Sequence, residues 1–250
     1  MEPRLPFVGM AREIERLRLA LGAGDPLLLL GPQGSGKTRL IQEALRSHRK
    51  VLYIAWQPNL HTLLAAMARG FIAARHSAFL RRAGLPCGPG ADAEAWLAVQ
   101  TSIHLKGLLW NAVEASPVTM MLDGVAGASF PAYRFLQRIS YTPGMALFAA
   151  SRDAFSLGAL ARLFWNPAKV LSLPPLPERD AERLFEGAAD HFKLRHLDLD
   201  EFREKVLESA GGNPGQIIEM CRLAARPQYH VGRYIKFSPL RIDTVMKFAP

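Results

Sequence analysis

One octapeptide constrains this chain more than any other feature. Residues 31–38 read Gly-Pro-Gln-Gly-Ser-Gly-Lys-Thr and fit the pattern G-x-x-x-x-G-K-[ST]. Glycines in such a loop let several backbone N–H groups converge on one anion with no side chain in the way. The apolar run 27–30 before the loop predicts a buried strand, and residues 39–45 after it predict a helix. This context predicts a loop that binds nucleotide phosphates; the alternative is a glycine turn without a ligand.

The loop residues have separate expected roles. Lys37 would place its ammonium on the β- and γ-phosphates, and the Thr38 hydroxyl would ligate Mg²⁺. The helix that opens at Lys37 would direct the positive end of its dipole at the same anion. The candidate nucleotide-binding residues are therefore Gly31, Pro32, Gln33, Gly34, Ser35, Gly36, Lys37 and Thr38.

A magnesium nucleotide site also needs an acidic residue on a neighbouring strand. Residues 118–122 form an apolar run that ends in Asp123, as expected for a Walker B aspartate that supports the metal. Asp123-Gly124 is also a good turn pair, so a turn without metal is the alternative. Many ATPases with such a phosphate-binding loop carry a glutamate after the aspartate to orient the attacking water. This chain has Gly124 there, so the sequence supports nucleotide hydrolysis less strongly than nucleotide binding.

Length and composition limit the classes of protein to which the chain can belong. A chain of 250 residues can bury one large core, or a core with a small lid. No stretch reaches the roughly 18 to 20 apolar residues of a membrane span, and the first residues do not resemble a signal peptide. Cys87 and Cys221 form no disulfide or metal-binding pattern, so we expect a cytoplasmic protein. The seven histidines, His61, His76 and His104 among them, show no ligand spacing.

Apolar strands alternate with helical segments, which predicts an α/β fold with a parallel sheet flanked by helices. We expect a P-loop core at 1–175, a small helical lid at 176–226 and a basic segment at 227–250 that has a strand or a hairpin. The candidate strands are 26–30, 51–56, 118–122, 145–150 and 169–173. Long helical stretches are expected at 59–83 and 93–115, separated by a Gly- and Pro-rich break at 84–90. The lid helices are expected near 178–192, 199–210 and 214–225.

Several motifs in one order resemble an AAA+ or STAND-type P-loop ATPase, of the group that includes the archaeal ATPases and the origin-recognition initiators. The likeness covers about residues 7–225 and implies ATP and Mg²⁺ as cofactors. The segment 147–152 resembles the sensor 1 strand, and Gly211-Gly212-Asn213-Pro214 resembles the "GGNP" motif of the lid. The other motifs are Phe7-Val8-Gly9 with residues 10–17, Walker A at 31–38, Walker B at 118–123, and the lid entry at 170–176 followed by 180–185.

The resemblance implies further site residues. Val8 lies in the segment that packs near the adenine in these families, with Met10 in place of the usual arginine, and Pro214 would contact the nucleotide from the lid. Arg152 would sense the γ-phosphate, although a solvated arginine at a strand end is the alternative. Arg162 lies where AAA+ relatives present an arginine finger to a neighbouring subunit, and a surface arginine is the alternative. Many relatives also carry a sensor 2 arginine just after the lid motif, where this chain has Gly215 and Gln216.

Charge indicates the class of partner. The net charge is +9, and residues 44–91 contain no acidic residue while basic and aromatic residues alternate there. Basic groups favour phosphates and aromatic rings can stack on bases, whereas the alternative is that they only solubilise and pack. Two functions therefore compete: an ATPase that assembles on double-stranded DNA, and a nucleotide-gated switch for a protein partner with slow or absent hydrolysis. A small-molecule kinase is disfavoured, because no acceptor-binding cluster is visible.

Overall fold

A computed structural model describes Leu5 and residues 7–46, 51–86 and 93–248. The chain divides into two compact units. The sheet unit consists of Glu13–Gly31 and Ala44–Ser172, and the loop-and-lid unit consists of Met1–Arg12, Pro32–Glu43 and Leu173–Pro250. The division at 175 and 226 stays a prediction. Cys87, residues 88–90 of the Gly- and Pro-rich break, and residues 47–50 of the basic segment 44–91 lie outside the described residues.

The sheet unit is built on five parallel strands, as predicted. They are β1 (Leu27–Leu30), β2 (Val51–Ala55), β3 (Thr119–Asp123), β4 (Ala146–Ser151) and β5 (Val170–Ser172). The order across the sheet is β2-β3-β4-β1-β5. All six residues of β4 are buried, as are the first three leucines of β1, which explains the unbroken apolar runs in the sequence.

The strand that ends in Asp123 is not the direct neighbour of β1. Strand β4 lies between them, with Leu28 opposite Ala149 on one side and Leu122 opposite Ala149 on the other. Hydrophobic periodicity identifies a buried strand but contains no information on strand order, so the sequence could not predict this insertion.

The two predicted helical stretches of this unit are each divided by a capping residue. The first consists of α3 (Leu60–Ala73) and α4 (Ser77–Ala83), and the second of α5 (Ala93–Ala98) and α6 (Ser102–Ala115). His76 starts α4, because its Nδ1 accepts a hydrogen bond from the Phe79 N–H at 3.2 Å. Thr101 caps α6 in the same way through the His104 N–H. The sheet unit also contains α7 (Phe130–Ser140) and, from Glu13 onward, α1 (Ala11–Ala23).

The loop-and-lid unit contains the expected lid helices. After α2 (Lys37–Ala44) they are α8 (Glu178–His191), α9 (Asp200–Ala210) and α10 (Pro214–Ala224). Gly211 ends α9 in a left-handed conformation with φ 51°, and Asn213 caps α10 by accepting from the Gly215 and Gln216 N–H groups. Their apolar faces form one core around Phe185, Val206 and Ile217.

The last segment contains the predicted hairpin and an additional helix. The hairpin is β6 (His230–Val231) with β7 (Tyr234–Ile235), and α11 (Phe237–Phe248) follows it. Helix α11 was not predicted, because its buried residues are only Leu240 and Thr244, which is too few for a clear helical period. No helix within the described ranges combines the length and the apolar character needed to cross a membrane.

Candidate nucleotide site

The loop 31–38 connects β1 to α2 and adopts a conformation that requires its glycines. Gly34 has φ 82° and Gly36 has φ 90°, values that other residues rarely adopt. Lys37 bridges the loop, with Nζ donating to the Pro32 carbonyl at 3.0 Å and to Ser35 Oγ at 3.4 Å. The ammonium therefore lies against the loop that would hold the phosphates.

Two carbonyl groups of the loop bond to the lid. The Asn213 side chain donates from Nδ2 to the Gln33 carbonyl at 2.9 Å, and the Gly215 N–H donates to the Gly34 carbonyl at 2.9 Å. An anion accepts hydrogen bonds from N–H groups, so lid contacts to carbonyl oxygens do not compete with it. The lid is thus attached to the loop in a way that is compatible with phosphate binding.

Gly34 and Gly215 pack backbone against backbone. A Cβ atom on Gly215 would lie 2.6 Å from the Gly34 Cα and 2.8 Å from its carbonyl oxygen. A Cβ on Gly34 would lie 2.6 Å from a ring carbon of Phe248 and 2.7 Å from Asn213 Oδ1. Position 215, close to where many relatives carry a sensor 2 arginine, therefore has no room for any side chain. The sequence showed this departure but not its reason.

An apolar cavity of about 170 Å³ opens beside the loop glycines. Val8 and Pro214, the two residues expected near the nucleotide, both line it. Its walls are mostly aliphatic, which suits the flat face of a purine ring. The other lining residues are Leu5, Phe7, Met10, Gly34, Gly36, Arg39, Leu176, Leu184, Gly215 and Ile218.

The segment before α1 is held against this cavity by its backbone. Arg39 donates from Nη2 to the Leu5 carbonyl at 2.6 Å. Gly9 has φ 73°, and a Cβ there would lie 3.0 Å from Asp180 Oδ2. Met10, the residue that replaces the usual arginine, also has a positive φ of 60°. The segment therefore follows a strained path that places Val8 in the cavity wall.

Asp123 ends β3 in the sheet unit. Its side chain is half-buried, and its carbonyl accepts from the Trp56 N–H at 2.8 Å. Gly124 follows with φ 73°, and a Cβ there would meet no atom within 4 Å. Space is therefore available for a larger side chain at 124, but the backbone conformation is unfavourable for one.

Arg152 follows the end of β4 at the same carboxyl edge of the sheet. Ser151 is buried and its Oγ donates to the Val125 carbonyl at 2.7 Å, which ties the end of β4 to the segment after Asp123. Leu30 pairs with Ser151, so Gly31 leaves the sheet beside Arg152. A backbone hydrogen bond from Ser156 lowers the pKa of the Asp153 carboxyl, helped by the Ser156 hydroxyl. The exposed Arg152 side chain therefore lies next to a turn that is held by these hydrogen bonds.

Arg162 lies in a 3₁₀ segment, Ala159–Phe164, on the surface of the sheet unit. Its guanidinium carbon is 5.5 Å from the centre of the Phe130 ring, a cation–π distance. Its role toward a neighbouring subunit stays a prediction. Among the described residues no group of three or more His, Cys, Asp and Glu side chains is placed to hold a metal ion.

A buried ion pair connects the end of α11 to α10. The Glu219 carboxylate, 5% exposed, accepts from Arg222 Nε at 2.8 Å and from Lys247 Nζ at 2.7 Å. The Lys247 carbonyl in turn accepts from Gln33 Nε2 at 3.5 Å, and Phe248 abuts Gly34. The C-terminal helix therefore contacts the phosphate loop. Nothing in the sequence indicated this contact, because the residues that form it are far apart in the chain.

Glu219→Gln should reduce the free energy of unfolding at pH 7 by about 1–2 kcal/mol. Removal of a buried charge usually costs about 3–5 kcal/mol, but Arg222 and Lys247 are partly exposed and screened. The Arg222 hydrogen bond, and then Lys247, lower the pKa of Glu219. Its stabilisation is therefore complete above the ordinary carboxyl pKa and is lost as the pH falls through the lowered folded value.

Urea unfolding of both proteins at pH 7 and at low pH measures this effect. Glu201→Gln is the control, because Glu201 forms an exposed pair with Lys205 at 2.6 Å and its loss should change stability by less than about 0.5 kcal/mol. An equal loss in both variants would contradict the role assigned to Glu219.

The five-stranded parallel sheet, the glycine loop after β1 and the helical lid define a P-loop NTPase. The chain belongs to the AAA ATPase domain family, whose model matches residues 6–202. This match confirms the AAA+ class of P-loop ATPase predicted from the motifs, and with it an ATP-binding NTPase. No curated protein compared with the chain matches it.

Solved structures share the fold at low sequence identity. A Walker-type ATPase of Pyrococcus abyssi has a TM-score of 0.62 at 13% identity, over 98% of this chain and 73% of that one. The ORC1 protein of Aeropyrum pernix in complex with DNA has 0.57 at 14%, over 98% and 66%. A STAND protein with a tetratricopeptide repeat sensor from Pyrococcus horikoshii has 0.55 at 17%, over 98% of this chain. This chain spans only 33% of that STAND protein.

Proposed function

We propose that this protein binds ATP with Mg²⁺ at the loop 31–38 and hydrolyses it, and that the nucleotide state controls the lid. The observation that carries the proposal is the direct packing of Gly215 on Gly34, with a 2.9 Å hydrogen bond between their backbones. Phosphates on the inner side of the loop would fix Gly34, and Gly34 in turn fixes the start of α10. Nucleotide binding and lid position are therefore linked through one backbone contact.

The loop residues fit the proposed cofactors. Lys37 supplies positive charge at the loop, and Gly34 and Gly36 have the conformations that let N–H groups converge on phosphate. The Thr38 hydroxyl and the Asp123 carboxylate are hard oxygen donors of the kind that Mg²⁺ prefers. Bound Mg²⁺ would neutralise charge on the transferred phosphoryl group, and Lys37 would share that task during in-line attack by water. Arg152 is proposed as the γ-phosphate sensor, Val8 and Pro214 as nucleotide contacts, and Arg162 as an arginine acting on a neighbouring subunit.

The proposed partner of the ATP state is DNA, on which the protein would assemble. The net charge of +9 favours an anionic partner, and one solved structure of the same fold is an ORC1 protein in complex with DNA. We also propose the cytoplasm as the working compartment, because two widely spaced cysteines give no disulfide framework and Cys221 is a buried free thiol.

Turnover of ATP with Mg²⁺, measured with and without double-stranded DNA at low and moderate salt, tests this proposal. Lys37→Ala serves as the blank. Stimulation by DNA that decreases with salt supports an ATPase that assembles on DNA. Turnover equal to that of the blank in every condition would remove hydrolysis from the proposal.

The alternative is a nucleotide-gated switch for a protein partner, with slow or absent hydrolysis. Gly124 is the observation that favours it, because it stands where many ATPases have a glutamate. With φ 73° it cannot be exchanged for glutamate without backbone strain. Tight ATP binding with negligible turnover, with and without DNA, would select this function.

Asp123→Asn should reduce the gain in ATP affinity that Mg²⁺ provides by about tenfold. ATP affinity without Mg²⁺ should stay nearly unchanged. An amide keeps the shape of the side chain but removes the negative charge that supports the cation. Titration of a fluorescent ATP analogue with and without Mg²⁺ measures both quantities. Asp153→Asn is the control, since that carboxylate is engaged by Ser156. An equal loss of both affinities in Asp123→Asn would argue against the metal role.

A further inference from the structure

The exposed face of α7 carries basic and aromatic side chains in one line. Phe130, Arg134, Arg138 and Tyr141 are spaced at i, i+4, i+8 and i+11, which places them on one face of the helix and its end. All four are exposed, Phe130 by 51% and Tyr141 by 74%. We refer to these four residues as the α7 stripe.

Neighbouring elements extend the stripe on both sides. Lys106 from α6 lines an open groove of about 550 Å³ together with Arg134, Arg138 and Tyr141. A second groove of about 580 Å³ shares Tyr141 and contains Arg162 and Trp165. Trp165 is 80% exposed, so the rings of Tyr141 and Trp165 both lie exposed at this groove. Large exposed rings grouped at one place on a surface are a feature of interaction sites.

Aromatic rings lie against the three arginines of this surface, and no carboxylate among the described residues pairs with them. The Arg138 guanidinium lies 4.0 Å from the Trp110 ring centre, and those of Arg134 and Arg162 lie 6.0 and 5.5 Å from that of Phe130. Within the described residues, none of these three arginines nor Lys106 forms a salt bridge. Of the described residues that line the two grooves, only Asp25 is acidic, and it lies 3.9 Å from Lys169. Their charge is therefore available to an anionic partner.

The net charge of the sheet unit also favours an anionic partner. Fifteen Lys and Arg and eight Asp and Glu occur in the sequence of the sheet unit, so it carries +7 of the net +9 of the chain. A polyanion would thus be attracted to this unit more than to the loop-and-lid unit.

We propose that the α7 stripe binds single-stranded nucleic acid. Arginines spaced along a groove contact successive phosphates, and the free faces of Tyr141 and Trp165 stack on bases. Bases in a duplex are already stacked on one another, so exposed rings favour an unpaired strand. The inference goes beyond the proposed function, because it assigns an unpaired strand to a named surface and does not depend on the nucleotide site.

Fluorescence anisotropy of a labelled oligo(dT) of about 20 nucleotides tests the proposal, without nucleotide and with Mg-ATP, from about 50 to 200 mM salt. Arg134→Ala with Arg138→Ala should reduce the slope of log affinity against log salt by about 1.4, which corresponds to two lost phosphate contacts. Tyr141→Ala should weaken binding by about 5- to 100-fold at every salt concentration with no change in slope. All three side chains are exposed, so the fold should persist.

Arg81→Ala with Arg82→Ala is the matched control, because both residues are exposed in the last turn of α4 and the loss of charge is the same. The control should keep the wild-type slope and affinity. Three results would overturn the proposal: no strand binding in either nucleotide condition, an equal loss in the control, or tighter binding of a duplex that Tyr141→Ala leaves unchanged.

ATP affinity measured on the same preparations separates the two proposals. Strand binding without ATP binding would refute the proposed function alone, and ATP binding without strand binding would refute this inference alone.

Discussion

Lys37→Ala is expected to weaken ATP binding by about 10- to 100-fold and to abolish any turnover. Hydrogen bonds between an ammonium and a phosphate contribute about 1.5–3 kcal/mol each, and the variant removes the charge that the loop itself supplies. Nζ lies 3.0 Å from the Pro32 carbonyl, so the ammonium lies against the loop that would hold the phosphates. Titration with a fluorescent ATP analogue and a phosphate-release assay measure the two effects.

Lys236→Ala is the control for this experiment. Lys236 is exposed just before α11, and the substitution is chemically the same, so ATP binding should not change. Unchanged affinity and turnover in Lys37→Ala would refute the assignment of the loop as a nucleotide site. Equal losses in both variants would point to net charge as the cause.

Gly215→Ala is expected to weaken ATP binding by about tenfold, although it introduces a better helix former at the start of α10. The added Cβ would lie 2.6 Å from the Gly34 Cα, so the loop or the lid must move, and overpacking of this kind costs about 1–3 kcal/mol. The same movement would break the 2.9 Å hydrogen bond from the Gly215 N–H to the Gly34 carbonyl. Nucleotide titration and thermal unfolding, each with and without ATP, report the two consequences.

Gly107→Ala provides the matched comparison. Gly107 lies within α6, and a Cβ there would meet no atom within 4 Å, so the variant should bind ATP like the wild type and unfold at the same or a higher temperature. If Gly215→Ala lowers the unfolding temperature but keeps full ATP affinity, the glycine contact is structural and does not connect lid and nucleotide.

The loop shows how far the sequence could predict the site. Its glycines, Lys37 and the flanking strand and helix are contiguous, so the spacing in the sequence already defines the local geometry. Val8 and Pro214 were expected near the nucleotide from the resemblance, and both line the apolar cavity beside Gly34. Gly215 was noticed only because it differs from the relatives; the contact that excludes a side chain there joins residues 181 positions apart.

The α7 stripe was not foreseen. From the sequence, basic surfaces were expected between residues 44 and 91, where no acidic residue occurs, and in the basic segment 227–250. Arg134 and Arg138 lie on a strongly amphipathic helix whose other face is buried through Phe135, Leu136 and Ile139. A linear count of charge cannot find this surface, because Lys106, Arg162 and Trp165 join it from other elements.

Short-range features were determined by the sequence alone: the glycine loop, the apolar strands, the capped helices of the lid and the AAA ATPase class all depend on residues close together in the chain. The tertiary structure alone decided the insertion of β4 between β1 and β3, the backbone contact of Gly34 with Gly215, and the docking of α11 through Glu219 and Lys247. The physical reason is that periodicity and propensity act over one or two turns of chain. Strand order and backbone packing instead depend on which distant surfaces exclude water together.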